Sequence, residues 1–127
     1  RQLSTFDVSL DSNKFPQNCK ILIVEANDEL RHYLLQLFAK TAIVSSISVS
    51  KNLFEEALVF RPDLVIGDLV DNQGFHRVSE FKKNVSTSHI PLILLTKLNS
   101  REDKISALMH GCADVLAKPF DSEELLY

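Results

Sequence analysis

The stretch Lys20–Lys40, KILIVEANDELRHYLLQLFAK, decides how this chain folds. Its opening, KILIV, is a short apolar run of β-branched and leucine residues, as in a strand buried on both faces. Asn27 then stands where a helix cap is needed, and Asp28 and Glu29 suit the positive end of a helix. Leu30, Tyr33, Leu34, Leu37 and Phe38 follow on one helical face. A buried strand that passes at once into an amphipathic helix is the first half of a β-α-β unit. The turn between them, Glu25-Ala26-Asn27-Asp28, places a carboxylate just past the strand and an alanine beside it.

The same alternation runs to the end of the chain. AIVSSISV (42–49) reads as a second strand, more polar and so nearer a sheet edge. KNLFEEALVF (51–60) reads as a helix ended by Pro62. DLVIGD (63–68) is a third strand and FHRVSEFKKN (75–84) a third helix. PLILLT (91–96) is a fourth strand, with Pro91 tolerated at its start. SREDKISALMH (100–110) is a fourth helix stopped by Gly111. ADVLA (113–117) is a fifth strand, and DSEELLY (121–127) opens a fifth helix. Strict β-α alternation with continuously apolar strands predicts an α/β/α sandwich, a doubly wound five-stranded parallel sheet. Right-handed crossovers favour the flavodoxin-like order 2-1-3-4-5.

Bulk properties fit one such domain. The chain has 127 residues, 45% hydrophobic and 24% charged, with a net charge of −3. That charge gives no electrostatic reason to expect nucleic acid or an anionic membrane as direct partner. No apolar run approaches the ~20 residues of a membrane span. Cys19 and Cys112 are far apart and in no metal spacing, so they read as reduced thiols of a cytoplasmic protein. His32, His76, His89 and His110 form no ligand pair. Residues 1–18, polar and without periodicity, read as a linker, and residues 19–127 as the domain. Asp121 with Glu124 resembles a capping box, but only about seven residues of that last helix follow, against a usual 10–14. The expectation is a segment of a longer protein with its last helix cut short.

In a doubly wound sheet, ligands bind at the carboxyl ends of the strands. Glu25 follows strand 1, Asp68 ends strand 3, Thr96 ends strand 4 and Lys118 follows strand 5. Any one of these is unremarkable as a cap or a solvated side chain; four converging from four strands form a constellation. The chemistry that fits is phosphoryl transfer. An aspartate can act as nucleophile and form an acyl phosphate. A lysine and a threonine hydroxyl can meet the charged phosphoryl oxygens, and a magnesium ion, usually held by one or two carboxylates, can bridge them.

These motifs, ILIVEANDEL, PDLVIGD, HIPLILLT and GCADVLAKPF, resemble those of a response regulator receiver domain over about 100 residues from Lys20 onward. The resemblance implies that Asp68 is the phospho-acceptor, Thr96 the switch hydroxyl and Lys118 the site lysine. It implies Mg2+ held by Glu25, Asp68 and the backbone carbonyl of Val70, and a cis peptide at Lys118–Pro119. SHIPLILLT, REDKISAL and KPFDSEELL are most similar to receivers embedded in hybrid two-component sensor kinases. That implies a histidine kinase or histidine phosphotransfer domain as partner, a receiver–receiver dimer as a possible assembly, and no direct nucleic-acid contact by this domain. The parent chain would carry a DNA-binding output and a membrane sensor.

Four positions depart from the family pattern. Ala26 replaces a second acid, which predicts weak Mg2+ binding, and Asp28 is a candidate to compensate. The loop after Asp68, LVDNQG, is short. Val115 stands where an aromatic residue is usual, and Lys97 where a small one is. Two readings stay open. One is a working receiver that takes a phosphoryl group from phosphohistidine onto Asp68. The other is a degenerate receiver serving as a phosphorylation-independent interaction module. A flavin- or nucleotide-binding domain is disfavoured because EANDEL has no glycine to cradle a phosphate. An aspartate-nucleophile phosphatase would want an acid at Val70.

Overall fold

The computed structural model describes residues 18–70, 74–97 and 100–118. Among them are β1 (Lys20–Val24), α1 (Asp28–Ala39), β2 (Ile43–Ile47), α2 (Leu53–Phe60), β3 (Leu64–Gly67), α3 (His76–Lys83), β4 (Leu92–Thr96), α4 (Arg101–Met109) and β5 (Asp114–Ala117). The strands form one parallel sheet in the order β2-β1-β3-β4-β5. The expected fifth helix, the Lys118–Pro119 peptide and the linker up to residue 17 lie outside the described residues.

The period-two alternation of the strands sorts their side chains into two cores. Leu22, Val24, Val65, Leu92 and Leu94 pack with Leu53 and Ala57 of α2, Val78 and Phe81 of α3 and Ala107 of α4. Ile21, Ile23, Ile66 and Leu95 face the other way and meet Leu30, Leu34 and Phe38 of α1. Each such side chain contributes roughly 1.5–3 kcal/mol on leaving water. The central strands are apolar at every position because both faces are covered. The edge strand β2 is only partly covered, as its polar sequence predicts.

Side-chain caps mark the starts of two of the described helices. Asn27 Oδ1 accepts from Leu30 N–H at 2.9 Å and starts α1. Ser100 Oγ accepts from Asp103 N–H at 3.1 Å and starts α4. The second helix begins later than its periodicity predicts. Ser50–Asn52 form a 3-10 turn and no side chain caps α2. Its far end agrees with the sequence: Pro62 disfavours helical geometry at Arg61, which turns to φ 55°.

Gly67 sets how closely β3 lies against β1. A Cβ there would collide with the Val24 carbonyl and come within 2.8 Å of Val24 Cβ. Only glycine lets the two strand ends meet in this register, and the next residue is Asp68.

Candidate phosphoryl-acceptor site

Three backbone hydrogen bonds carry the sheet ladder one residue past its strands. Glu25 N–H donates to Ile47 O at 3.0 Å, Asp68 N–H to Val24 O at 2.9 Å and Lys118 N–H to Thr96 O at 2.8 Å. Glu25, Asp68 and Lys118 therefore leave the sheet along one edge, with Thr96 as the last residue of β4. Side chains converge there. Lys118 Nζ is 2.8 Å from Asp68 Oδ2 and 3.1 Å from Glu25 Oε1. It also donates to Glu25 Oε2 at 3.1 Å. Residues 93 positions apart in sequence thus share one ion cluster.

Burial grades the three. Glu25 is 1% exposed, the Lys118 side chain 10% and the Asp68 side chain 32%. Asp68 is the carboxylate that solvent can reach, while Glu25 lies beneath. Burial presses the Lys118 ammonium toward its neutral form, but Asp68 and then Glu25 outweigh this and hold its pKa above the usual lysine value. It is a fixed positive charge beside the more exposed carboxylate. Thr96 is 4% exposed and completes the edge through its carbonyl.

The β1–α1 turn fixes Glu25 from its other side. Asn27 N–H donates to Glu25 Oε2 at 2.9 Å. Arg31 Nη1 donates to the Glu25 carbonyl at 2.9 Å, and Arg31 Nη2 meets Asp28 Oδ1 at 2.6 Å. Sequence reasoning missed Arg31 as a support of the site. Its signal was the three-residue spacing from Asp28 on one helix. Asp28 itself does not replace the acid missing at Ala26. Its side chain is 86% exposed and turned to Arg31, because the helix spacing favours that pair. Lys97 is exposed. Val115 packs partly buried against the core, where it fills space without a ring.

The donor set can be compared with what Mg2+ requires. The ion takes oxygen ligands, often one or two carboxylates with several waters. Glu25 and Asp68 supply two carboxylates at one edge. Glu25 Oε1 is buried and receives no directed hydrogen bond, since the one from Lys118 goes to Oε2. That oxygen lies 3.1 Å from the Lys118 ammonium, so a cation there would share Glu25 with the lysine. Among the described residues no group of three acids, histidines or cysteines gathers to hold a metal. The residues fit Mg2+ with a two-carboxylate set, and Ala26 adds nothing to it.

The response regulator receiver domain family matches residues 21–127. The chain belongs to that family. Hybrid signal transduction histidine kinase D of Dictyostelium discoideum is 29% identical over 108 residues, 84% of this chain and 7% of that protein. Response regulator ArlR of Staphylococcus saprophyticus is 34% identical over 110 residues, 84% of this chain and 49% of its own. The receiver thus spans less than two thirds of either relative. Among solved structures, the BeF3-activated N-terminal receiver domain of Klebsiella pneumoniae RstA superposes with a TM-score of 0.70 at 25% identity. It covers 84% of this chain and 92% of that one. The receiver domain of a Syntrophus aciditrophicus signal transduction histidine kinase superposes with a TM-score of 0.68 at 26% identity, covering 85% and 84%. This receiver is a two-component signalling domain, a phosphoryl acceptor and not a classical enzyme. The comparisons support that reading and not the degenerate one. Receiver domains typically use Mg2+ for phosphorylation, and they interact with histidine kinases or phosphotransfer proteins. Among the described residues no helix is long and apolar enough to cross a membrane.

Proposed function

We propose that this receiver takes a phosphoryl group from a phosphohistidine onto Asp68 and thereby switches an output joined to it. The observation that carries the proposal is the Lys118 ammonium 2.8 Å from Asp68 Oδ2, with buried Glu25 behind both. One Asp68 oxygen attacks phosphorus, the phosphorus–nitrogen bond to the imidazole breaks, and an acyl phosphate forms. Lys118 stands where it can exchange its contact with Asp68 for one with a phosphoryl oxygen, so its charge needs no reorganisation. The Thr96 hydroxyl is the group we assign to sense the new phosphoryl oxygen from the end of β4. Asn27 N–H and Arg31 keep Glu25 oriented throughout.

Glu25, Asp68 and the Val70 carbonyl are the groups that would hold Mg2+, which when bound neutralises phosphoryl charge. We assign it weak binding because Ala26 withholds a ligand. The phosphodonor domain is placed over the open groove along α1, about 710 Å³, which Asp28 and Arg31 line at the site's rim. By likeness to the Dictyostelium protein, the parent chain we propose is a hybrid histidine kinase. A membrane sensor, a DNA-binding output and a cytoplasmic setting for this domain are proposed from the motif resemblance alone. A receiver–receiver dimer is the assembly proposed for the phosphorylated form.

Incubation with acetyl phosphate, with and without Mg2+, tests the acceptor by intact mass. Addition of one phosphoryl group to the native protein and none to Asp68→Asn is the expected result. Equal labelling of both would remove Asp68 from the role.

A further inference from the structure

The first turn of α1 brings a positive charge against the residue that supplies the buried carboxylate. Arg31 Nη1 donates to the Glu25 carbonyl at 2.9 Å, and Arg31 Nη2 meets Asp28 Oδ1 at 2.6 Å. The arginine side chain is 22% exposed and the aspartate 86%. Through space, a guanidinium near two carboxylates disfavours a divalent cation between them. On charge alone, Arg31 works against Mg2+.

What Arg31 supplies is geometry. The Glu25 N–H donates to Ile47 O at 3.0 Å, and Glu25 Oε2 accepts from Asn27 N–H at 2.9 Å. Between the Glu25 carbonyl and the Asn27 N–H stands Ala26, exposed, whose methyl group offers neither a hydrogen bond nor a charge. The chain at Ala26 is therefore held by Arg31 on one side and by Asn27 on the other. Arginine suits the task, because its planar fork reaches two acceptors at once. Asp28 fixes that fork and offsets its charge, so the carbonyl is gripped with little net charge brought to the site.

Taking Asp68 as the acceptor, we propose that Asp28 and Arg31 together are positioning residues for Glu25 as a Mg2+ ligand, a role that rests on that reading of the edge. They stand in at one remove for the acid that Ala26 lacks. Asp28 does not touch the ion. It holds Arg31, Arg31 holds the Glu25 carbonyl, and the Glu25 carboxylate keeps its direction beside Asp68. Partners behind a metal ligand typically change affinity by about ten- to a hundredfold. Asn27 and Lys118 also hold the Glu25 side chain, so the lower end of that range applies.

Mg2+ titrations followed on the backbone amide signals of Glu25, Ala26 and Asp68 test this without a phosphoryl donor. Arg31→Met removes the charge and both contacts. Arg31→Lys keeps the charge but loses the fork. Each should weaken Mg2+ binding by about tenfold. A role through charge alone gives a different order, with tighter binding in Arg31→Met and unchanged binding in Arg31→Lys. Asp28→Asn changes an exposed side chain; it should weaken Mg2+ binding in the native chain and add nothing further in Arg31→Met. Unchanged or tighter binding in either Arg31 variant overturns the proposal. So does an Asp28→Asn loss of equal size in both backgrounds, or native Glu25 and Ala26 signals that ignore Mg2+. If Arg31→Met does not fold, Arg31→Lys decides. Failure of the acceptor reading looks different: Asp68 stays unlabelled by acetyl phosphate while the order of Mg2+ affinities holds.

Discussion

Lys118 holds Glu25 by both carboxylate oxygens, each at 3.1 Å, at a position where Glu25 is almost fully removed from water. The lysine thus bears on the fold's stability as well as on the proposed chemistry. Lys118→Met should destabilise the domain by about 3 kcal/mol, because it strands a buried carboxylate without its counter-charge. Glu25→Gln in the same chain should recover part of that loss. Urea denaturation of the two single variants and the double variant measures the coupling.

Gly67→Ala tests the close approach of β3 to β1. The added methyl meets the Val24 carbonyl, which belongs to the backbone and cannot rotate away. A loss of about 3 kcal/mol, at the upper end of overpacking effects, is expected in thermal unfolding. Unchanged stability in the Gly67→Ala variant would mean that the strand ends separate freely.

Ala26→Asp restores the missing acid. It should tighten Mg2+ binding and speed labelling of Asp68 by acetyl phosphate, because a further carboxylate adjoins the ion that neutralises the phosphoryl oxygens. Without metal the same change should lower the melting temperature, as three carboxylates then repel one another around one lysine. Labelling rate against Mg2+ concentration, for the native protein and the variant, checks both directions.

Alkaline pH should weaken the fold through Cys112. Burial raises its thiol pKa to about 11, and the nearby Lys82 charge opposes this. The folded chain then holds the thiol proton while the unfolded chain releases it near pH 9, so stability falls as pH rises from 9 through 11. Lys82, whose own pKa burial lowers, works in the opposite sense. Cys112→Ala should flatten the fall in urea midpoint between pH 8.5 and 10.5, values chosen to bracket roughly that window. Cys19, likewise raised by burial, and Cys112 should both resist iodoacetamide at about pH 8 until the chain is unfolded.

Much of this was legible from the residues. Apolar runs at 21–24, 64–67 and 92–95 announce central strands because burial on both faces removes the need for polar alternation. Asn27 announces the start of α1 because a side-chain cap is a local device. What stayed hidden depends on contacts distant in sequence. Asp28 looks like a spare metal ligand until the helix directs it to Arg31. Arg31 looks like a surface charge until it reaches back to the Glu25 carbonyl. The 3-10 entry to α2 was missed because KNLFEEALVF has helical periodicity throughout and lacks a cap to mark the true start.

By itself the sequence determined the order of elements, the parallel sheet and the edge on which Glu25, Asp68, Thr96 and Lys118 emerge, since periodicity and crossover handedness act through neighbouring residues. The tertiary structure alone decided which of those groups touch. Lys118 meets Asp68 and Glu25 because Gly67 lets two strands close to backbone contact and because ladder bonds extend one residue past each strand end. It also decided that Glu25 is the buried carboxylate and Asp68 the accessible one. No local pattern encodes that difference, because solvent exposure at a sheet edge is set by the elements packed around it.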